Sequence, residues 1–474
     1  QKHRVCPFEM GLDLSLFSDG VICDYNYVFD PHVYLRRFFG DGGQKGEWIF
    51  LVDEAHNLLE RGREMYSATL YKEDFLTLKR TVKAYDGRME KHLEKCNRAL
   101  LPLKKECDGF RVVEDIDPFV QALTRLSGVM EEYLENHEDS PVRREVLEFY
   151  FQVSHFLAIW DLVDEKYVIY TEFDEEGRFF LKLFNVDPSE NLRACMDRGN
   201  SSILFSATFL PIQYYKKLLG GQGQDYEVYA KSVFDPEKKA LFLSGDVTSK
   251  YSRRSEEEYA NIALYIHRIV ARRHGNYMVF FPSHAFLRSV WEKYQAAYAQ
   301  EDGAECLVQE EHMGEAQRES FLKRFEGNED CKLEKVIHME IEVEEESSLV
   351  GFCVLGGIFS EGIDLKNDRL IGAIIVGTGL PQICTEREIL KEYFNRDGED
   401  GFDFAYRYPG MNKVLQAAGR VIRTAEDVGI VALLDERFLQ RAYQRLFPRE
   451  WERFEVVTSE TVAGRVEKFW NDWL

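Results

Sequence analysis

Short apolar runs that alternate with amphipathic helical patterns constrain the fold of this 474-residue sequence more than any other feature. The runs are rich in β-branched and aromatic residues, and they cover residues 21–22, 48–52, 203–205, 277–281, 351–355, 370–376 and 428–434. Helical periodicity lies between many of them, for example at residues 256–273 and 283–298. Strands that alternate with helices in this way form parallel sheets covered by helices on both faces, so we predict an α/β fold.

A different texture fills residues 59–160, where long, charged, amphipathic helical patterns leave almost no room for strands. The stretch YVIYTEFDEEGRFFLKLF follows, and its two alternating runs around an acidic turn predict a β-hairpin. The sheet then resumes at Ser201. We therefore predict a first α/β domain made of residues 1–58 and 200–235, a mainly helical insertion with a returning hairpin at residues 59–199, and a second α/β domain at residues 236–474.

The formal net charge of -23 disfavours an extended nucleic-acid-binding surface, because phosphate binding normally requires a basic footprint. Net charge does not locate charge, however, and a local basic track is compatible with it. Acidic residues concentrate at 340–346 and 397–403. We predict that the acidic segment 328–348 is a solvated loop or a small hairpin rather than a regulatory element.

Cysteine usage and hydropathy indicate the environment of the chain. Its nine cysteines include no CxxC pair, and their odd number argues against a disulfide framework and favours a reducing cytoplasm. Cys23 and Cys353 stand within apolar runs, so we predict that both are small core residues. No apolar run approaches the ~20 residues that cross a bilayer, which predicts a soluble protein without membrane contact.

The residues Asp53-Glu54-Ala55-His56 follow the apolar run 48–52 directly. In nucleotide hydrolases a carboxylate at the end of a strand holds Mg²⁺ through water, while a neighbouring carboxylate orients and deprotonates the attacking water. Asp53 and Glu54 fit these two roles, and His56 is placed to sense the phosphate state and relay it to the neighbouring sheet. Four residues are a weak signal alone, and the alternative is a helix N-terminus whose acids complement the helix dipole.

Two further segments also follow predicted strands. Ser206 and Thr208 lie where small hydroxyl side chains can link two strand ends by hydrogen bonds, although an ordinary helix N-cap is the alternative. The segment GGIFSEGIDL, residues 356–365, has glycines that permit close backbone approach to a phosphate or sugar. Gly362 and Asp364 are its candidate nucleotide-binding residues, although a plain turn explains any one of the glycines.

The stretch QAAGRVIRT, residues 416–424, carries two arginines. On a helix Gln416, Arg420 and Arg423 are spaced by four and three residues, so their side chains emerge on one face, and Gly419 allows close approach of a nucleotide. Two arginines on one element suit the charge that develops on a γ-phosphate during transfer. The alternative is a surface helix with solvated arginines.

The order of these segments resembles motifs two to six of the superfamily-two helicases, and more closely the DinG and XPD family of iron-sulfur DNA helicases. DEAH is followed by SAT, by FFPSH at residues 280–284, by GGIFSEGIDL and by QAAGRVIRT. That family places a helical arch domain between its DEAH and SAT motifs, where this chain has its insertion. VICDYNYVFDP at residues 21–31, GTGLPQI at 377–383 and LLDERF at 433–438 also resemble bacterial DinG-type sequences, so the resemblance covers nearly the whole chain.

The resemblance implies two RecA-like motor domains that bind ATP and Mg²⁺ between them, with the arch inserted in the first. The first domain would supply Asp53 and Glu54, and the second would supply Gln416, Arg420 and Arg423. Single-stranded DNA would be moved 5′ to 3′. The expected partners are single-stranded and forked or branched DNA, and the expected protein is a monomer of the bacterial cytoplasm, associated with the nucleoid and active in DNA repair.

Single-strand binding combines aromatic stacking with contacts to the phosphate backbone. We predict four candidate DNA contacts, each with a core or structural role as its alternative: Tyr25, Tyr27, Ser283 and Thr378.

The N-terminal stretch RVCPFEM resembles the segment that contains the last of four cysteines binding a [4Fe-4S] cluster in this family, which would make Cys6 a ligand. Only five residues precede Cys6, and the sequence contains no GxxxxGK[ST] phosphate loop. We therefore expect the sequence to begin inside the iron-sulfur region of a longer helicase, and these residues alone to show neither a cluster nor ATPase activity. The alternative is a natural protein that has lost its ATP site.

Two other functions compete with a helicase. The missing phosphate loop favours an ATPase-inactive single-stranded DNA-binding or scaffold module. A remodelling enzyme that uses ATP or GTP on the same two-domain fold is disfavoured by the insertion between DEAH and SAT and by the CPFE setting of Cys6.

Overall fold

The computed structural model describes residues 6–40, 46–326, 347–359 and 370–473. It has the predicted α/β fold, and the chain divides into two compact units. The first unit comprises residues 1–206 and 215–225, and the second comprises residues 207–214 and 226–474. Within the described ranges, no helix is both long enough and apolar enough to span a membrane.

The strands of the first unit form two separate sheets. Their bounds are β1 Ile49–Val52, β2 Ala68–Tyr71, β3 Phe110–Val112, β4 Tyr167–Phe173, β5 Phe179–Asn185 and β6 Ser201–Leu204. β1 and β6 pair in parallel, with Val52 opposite Leu204. The other four strands form an antiparallel sheet in the order β2-β5-β4-β3. The predicted hairpin is therefore confirmed as β4 and β5, with Gly177 at φ 76° in the connecting turn.

Long helices dominate the insertion. The first unit contains α1 Pro7–Ser15, α2 Asn26–Phe29, α3 Arg36–Phe39, α4 His56–Met65, α5 Lys72–Val82, α6 Gly87–Glu106, α7 Asp117–Asn136, α8 Arg143–Trp160 and α9 Ser189–Met196. Helix α10, Ile212–Leu218, includes the boundary between the two units. The carboxylate of Asp86 caps α6 by accepting the backbone N–H groups of Arg88 and Met89, which have no partner inside the helix.

The second unit is built on one parallel sheet in the order β13-β7-β12-β11-β8-β10-β9. Its strands are β7 Lys239–Ser244, β8 Asn276–Phe281, β9 Ala304–Val308, β10 Ser348–Val354, β11 Gly372–Val376, β12 Gly429–Leu434 and β13 Glu455–Val457. The described helices are α11 Glu256–Val270, α12 His284–Ala297, α13 Glu315–Glu326, α14 Thr385–Arg396, α15 Tyr408–Ala418, α16 Arg441–Gln444 and α17 Val462–Trp473.

Helices cover both faces of this sheet. Alternate side chains of β8 enter two different cores: Val279 and Phe281 belong to one, and Met278 and Phe280 belong to the other. All residues of β11 and β12 are buried, which accounts for their continuous apolar sequences. The Ser255 side chain caps the start of α11 by accepting the N–H of Glu258. This capping residue explains why the predicted helix begins here after the preceding loop.

Several local predictions were wrong. Residues 21–22 form no strand, and Ile22 is fully exposed. Two apolar residues before Asp24 are too short a run to form a hydrogen-bonded ladder with a partner strand. Cys23 is exposed rather than a core residue, whereas Cys353 is buried as predicted. Region 59–160 is mainly helical, as predicted, and its two short strands β2 and β3 pair with β5 and β4, which lie far along the chain. The acidic residues 328–346 lie outside the described part of the chain.

Candidate functional site

Strand pairing fixes the position of the DEAH residues in the first unit. The ladder between β1 and β6 continues past both strands, because Phe205 N–H donates to the Val52 carbonyl at 3.0 Å and Ala55 N–H donates to the Phe205 carbonyl at 3.1 Å. Asp53 and Glu54 are exposed just beyond the strand end, whereas Ala55 and His56 are buried. The two carboxylates therefore lie at the carboxyl edge of a parallel strand pair, where ligands bind in α/β folds.

The backbone at Glu54 has a left-handed conformation, with φ 44°, which side chains other than glycine rarely adopt. Its N–H is held by the Asp53 carboxylate at 2.7 Å. The hydroxyl of Tyr25 donates to the Asp53 carbonyl at 2.5 Å, with the Glu54 carbonyl 3.0 Å away. Tyr25, predicted as a DNA contact, thus holds the backbone of the two acidic residues.

His56 connects Glu54 to the strand that precedes the SAT residues. Its side chain is 3% exposed, and its Nδ1 lies 2.8 Å from Ser206 Oγ and 3.3 Å from Glu54 Oε2. Ser206 Oγ is in turn 3.5 Å from the same carboxylate oxygen. The structure therefore brings together three predicted site residues, although Ser206 is 150 positions from His56 and 152 positions from Glu54 in sequence. Thr208, the other hydroxyl residue of SAT, is buried and belongs to the second unit.

The helix predicted through QAAGRVIRT ends early. Helix α15 stops at Ala418 with Gly419 as its C-cap, so Gln416 lies on the helix but Arg420 and Arg423 follow it. The shared helical face predicted for these three side chains is therefore wrong. Arg420 is buried, with 4% exposure, whereas Arg423 is exposed.

Local competition for backbone hydrogen bonds explains this ending. The carboxylate of Asp427 accepts the N–H groups of Arg423 and Thr424 at 2.6 and 2.7 Å, and the Thr424 hydroxyl at 2.9 Å. These bonds hold a turn in place of further helix, and a glycine at the end of α15 lowers the cost of leaving the helix.

The predicted nucleotide-binding glycines are only partly described. Gly362 and Asp364 lie outside the described residues. Gly356, at the start of the same segment, has φ 70°, and a Cβ there would lie 2.8 Å from the Lys413 side chain. The positive φ, which side chains other than glycine rarely adopt, is thus the reason for a glycine at this strand end.

The remaining predicted DNA contacts differ in their exposure and partners, and their DNA-binding roles stay predictions. Ser283 caps α12, since its Oγ accepts the N–H of Phe286 at 3.3 Å. Thr378 is 1% exposed, which does not favour direct contact with DNA. Tyr27 is half-buried, and its carbonyl accepts the N–H of Leu35 at 2.9 Å.

Cys6 is exposed at the start of α1. Across the described ranges, no group of three or more histidine, cysteine, aspartate or glutamate side chains is arranged to hold a metal ion. A [4Fe-4S] cluster needs about four thiolates, so the described residues alone do not fit one. Magnesium is different, because it commonly binds through one or two carboxylates and keeps several waters. Asp53 has an exposed carboxylate of that kind.

A polar network that sequence reasoning missed lies at the carboxyl ends of β7 and β12. Asp435 is completely buried and accepts hydrogen bonds from Ser249 N–H at 2.8 Å, Ser249 Oγ at 3.0 Å and Thr248 Oγ1 at 3.2 Å. Two guanidinium nitrogens of Arg437 donate to the same carboxylate at 2.8 Å. The available signal was an acid and an arginine directly after the apolar strand in LLDERF.

Comparisons with known proteins agree with this architecture. The family model described as Helicase C-terminal domain matches residues 266–454, and the DEAD_2 model matches residues 1–75. ATP-dependent DNA helicase XPD of Sulfolobus acidocaldarius is 25% identical over 453 residues, covering 92% of this chain and 73% of that protein. ATP-dependent DNA helicase CHL1 of Meyerozyma guilliermondii is 23% identical over 460 residues, covering 82% of this chain and 52% of the yeast protein.

Solved structures give the same fold. A structure named XPD_Helicase matches with a TM-score of 0.57 and 18% identity, covering 96% of this chain and 76% of the other. Xpd4 of S. tokodaii matches with a TM-score of 0.57 and 16% identity, covering 91% and 81%. At these identities the likeness supports the fold alone.

Proposed function

Because the chain belongs to the XPD and DinG type of superfamily-two helicases, we propose that the complete protein is an ATP-dependent DNA helicase. We propose further that it moves 5′ to 3′ on single-stranded DNA, acts on forked or branched DNA and works as a monomer. The chain spans 73% of the archaeal relative and 52% of the yeast relative, so these activities are proposed for the complete protein.

The contact of His56 with both Glu54 and Ser206 is the observation that carries this proposal. A carboxylate that only stabilised a helix N-terminus would need no buried histidine behind it. Here Glu54 is linked through His56 Nδ1 to the hydroxyl at the end of the neighbouring strand. A change in the contacts of Glu54 during ATP hydrolysis therefore has a short hydrogen-bonded route into the SAT segment.

We assign different roles to the two adjacent carboxylates. Asp53 would hold Mg²⁺ through water, and the ion would neutralise charge on the transferring phosphate. One oxygen of Asp53 accepts the N–H of Glu54, which orients the carboxylate. Glu54 would orient the attacking water and accept its proton, a role that needs an exposed carboxylate at a defined position.

In the second unit, we propose that Gln416 and Arg423 contact the nucleotide, since the first lies on α15 and the second is exposed beyond it. Arg420 is buried behind this segment and is better suited to hold it in position. Gly419, at the end of α15, would let the nucleotide approach the backbone. For Gly362 and Asp364 the nucleotide role stays a prediction, as does a [4Fe-4S] cluster with Cys6 as one ligand.

Substitution of Glu54 tests the proposed chemistry. In the complete protein, Glu54→Gln removes the proton acceptor and should lower the DNA-stimulated rate of ATP hydrolysis by roughly 10²- to 10⁴-fold, with little change in KM for ATP. The measurement is steady-state phosphate release with and without single-stranded DNA. Glu64→Gln is a matched control, because Glu64 is an exposed acid on α4 that pairs with Arg61 at the surface.

A second variant examines the link to SAT. Ser206→Ala removes the hydroxyl that meets His56 and should weaken the stimulation of ATP hydrolysis by DNA more than the basal rate. For the first variant, an unchanged rate of ATP hydrolysis by Glu54→Gln, relative to the unmodified complete protein, would contradict the proposal.

A single-stranded DNA-binding module without ATPase activity is the second candidate. The absence of a GxxxxGK[ST] pattern from these 474 residues favours it. It predicts that the complete protein binds single-stranded DNA but releases no phosphate under any condition, with Glu54→Gln indistinguishable from the unmodified protein.

A further inference from the structure

An exposed aromatic residue lies among cations in the loop that follows β7. Residues 247–254, VTSKYSRR, contain Lys250, Arg253 and Arg254 but no acid, in a chain with a formal net charge of -23. We call this segment the cationic loop. Tyr251 in this loop is 84% exposed, whereas Tyr277 on β8 is completely buried.

The base of the cationic loop is held rigidly by the buried network at Asp435. This carboxylate accepts the N–H and hydroxyl of Ser249 and the hydroxyl of Thr248, and Arg437 donates to Ser249 Oγ at 2.7 Å. A Cβ on Gly377, in the loop after β11, would lie 2.5 Å from Ser249 Oγ, so the neighbouring loop also packs closely here. An ordered base lowers the entropic cost of binding a ligand at the tip.

Arg254 joins the exposed ring to the core. Its guanidinium carbon lies 5.3 Å from the centroid of the Tyr251 ring and 5.2 Å from that of Phe286, which is 1% exposed. Both distances are within the range of cation–π attraction. Arg254 therefore orients the Tyr251 ring against a fixed support, and the ring keeps most of its surface accessible.

The cations differ in their partners. Lys250 is 2.7 Å from Glu436, and Arg253 is 3.0 Å from Glu258, so both are neutralised locally. Arg254 makes no ion pair with a carboxylate in the described part of the chain, although it is exposed. A guanidinium in this state is suited to bind an added anion such as a phosphate diester.

These observations fit one ligand class. We propose that Tyr251 and Arg254 form a binding platform for single-stranded DNA, in which the Tyr251 ring stacks on an unpaired base and Arg254 contacts a phosphate of the same strand. Stacking requires a base face that a duplex does not expose, so the ligand is a single strand. The inference rests on the proposed function, since it assigns part of the DNA-binding surface of the same protein.

The test measures binding of a fluorescein-labelled oligothymidylate to the full chain by anisotropy at low, fixed salt. Tyr251→Ala should weaken binding by roughly 5- to 150-fold, the range that corresponds to loss of one stacked base, whereas Tyr251→Phe should bind like the unmodified chain. Arg254→Ala should weaken binding and also reduce its salt dependence. Tyr226→Ala is the matched control, because Tyr226 is 98% exposed and lies outside the cationic loop.

A spectroscopic variant separates stacking from a structural role. Tyr251→Trp should gain fluorescence that bound oligothymidylate quenches, whereas the added fluorescence of Tyr226→Trp should be unaffected. A labelled hairpin duplex should bind more weakly and respond less to Tyr251→Ala.

The outcomes distinguish the platform from the helicase proposal. If the unmodified chain binds the oligomer and Tyr251→Ala binds equally well, the platform is wrong and the helicase proposal stands. If Tyr251→Ala weakens binding but the complete protein hydrolyses no ATP, the platform stands and the helicase proposal is wrong. No binding of the oligomer by the unmodified chain contradicts the platform and leaves the helicase proposal for the complete protein to the phosphate-release test.

Discussion

Glu54 combines the residue type needed for chemistry with an unfavourable backbone. A non-glycine residue in the left-handed region costs roughly 1–2 kcal/mol, and φ at Glu54 is 44°. Two hydrogen bonds hold this conformation: the Tyr25 hydroxyl donates to the Asp53 carbonyl, and the Glu54 N–H donates to the Asp53 carboxylate. Such strain persists where surrounding structure over-determines it, and it is common at functional sites.

Replacement of Glu54 by glycine should therefore stabilise the fold. We expect Glu54→Gly to raise the free energy of unfolding of the first unit by about 1 kcal/mol, because glycine adopts this backbone conformation without strain. Glu54→Ala keeps the strain and should give no such gain. Denaturant unfolding followed by circular dichroism checks the difference, and equal stability of the two variants would contradict the strain.

A pair of histidines joins the N-terminal segment of the first unit to α8. His155 Nε2 lies 3.0 Å from the Ser67 carbonyl, so this nitrogen carries the proton that donates. In neutral His155, Nδ1 is then an acceptor, and His32 Nε2 donates to it across 2.7 Å. The contact can hold one proton between these two ring nitrogens, and N–H groups on both of them would repel each other.

The histidine pair predicts a pH dependence of stability. Burial, His155 and Arg36 lower the pKa of His32 below its ordinary 6.5, against the opposing effect of Asp30. The unfolded chain thus binds more protons than the folded chain below pH ~6.5, so stability should fall as pH drops through 6.5 to the lowered pKa. His32→Gln retains an N–H donor without titration and should flatten this part of a melting-temperature profile from pH 8 to 5. An unchanged slope would exclude the pair as its cause.

At the scale of elements, apolar runs identified the interior strands well and the marginal ones poorly. β8, β10, β11 and β12 are almost entirely buried, so their sequences are continuous apolar runs. β9 is partly exposed, and β13 has only three residues, so neither has a pattern that distinguishes it from a loop. β7 was also missed, although four of its six residues are buried.

Helix ends were harder still, because they depend on residues outside the periodic pattern. The end of α15 at Ala418 is determined by Gly419 together with Asp427, which accepts backbone N–H groups several residues away. The spacing of the polar residues in QAAGRVIRT reflects neither the C-cap glycine nor the Asp427 carboxylate, so it could not predict where the helix ends. Capping information at both sides of a pattern is needed to say where its polar residues lie.

The parallel pair β1 and β6 has one exposed apolar face. Ile49, Leu51 and Ile203 are 61%, 67% and 54% exposed, and Phe205 just beyond β6 is 44% exposed. The opposite face is covered in part, since Phe50 packs against Phe39. A contiguous exposed apolar face of this kind favours association with other surfaces.

Polar residues on that face should reduce association without weakening the fold. In the 474-residue chain, the double variant Leu51→Thr and Ile203→Thr should bind less of a hydrophobic dye and remain soluble at higher concentration, with an unchanged melting temperature. Threonine preserves strand propensity while reducing apolar surface. Leu58→Thr is the control, because Leu58 is completely buried and this change should lower the melting temperature. A similar loss of stability in the double variant would show that the face is covered.

At the scale of the whole molecule, residue types were predictable and their connections were not. DEAH and SAT were recognised separately, but the hydrogen bond between His56 and Ser206 joins positions 150 residues apart. The contact of Ser249 with Asp435 joins positions 186 apart, and nothing in either local sequence indicates the other. Parallel topology creates these pairs by bringing the carboxyl ends of distant strands to one edge.

The contrast between the cationic loop and the net charge of -23 affects how a nucleic acid arrives. The net negative charge repels a nucleic acid at long range, so an incoming strand would approach most readily at exposed cations that lack a carboxylate partner among the described residues, such as Arg254 in this loop. Electrostatic repulsion would then prevent many misaligned encounters before the strand contacts the protein. Salt screens this repulsion beyond a Debye length of about 8 Å at physiological ionic strength. The charges would therefore influence the orientation of the strand only during the last step of its approach.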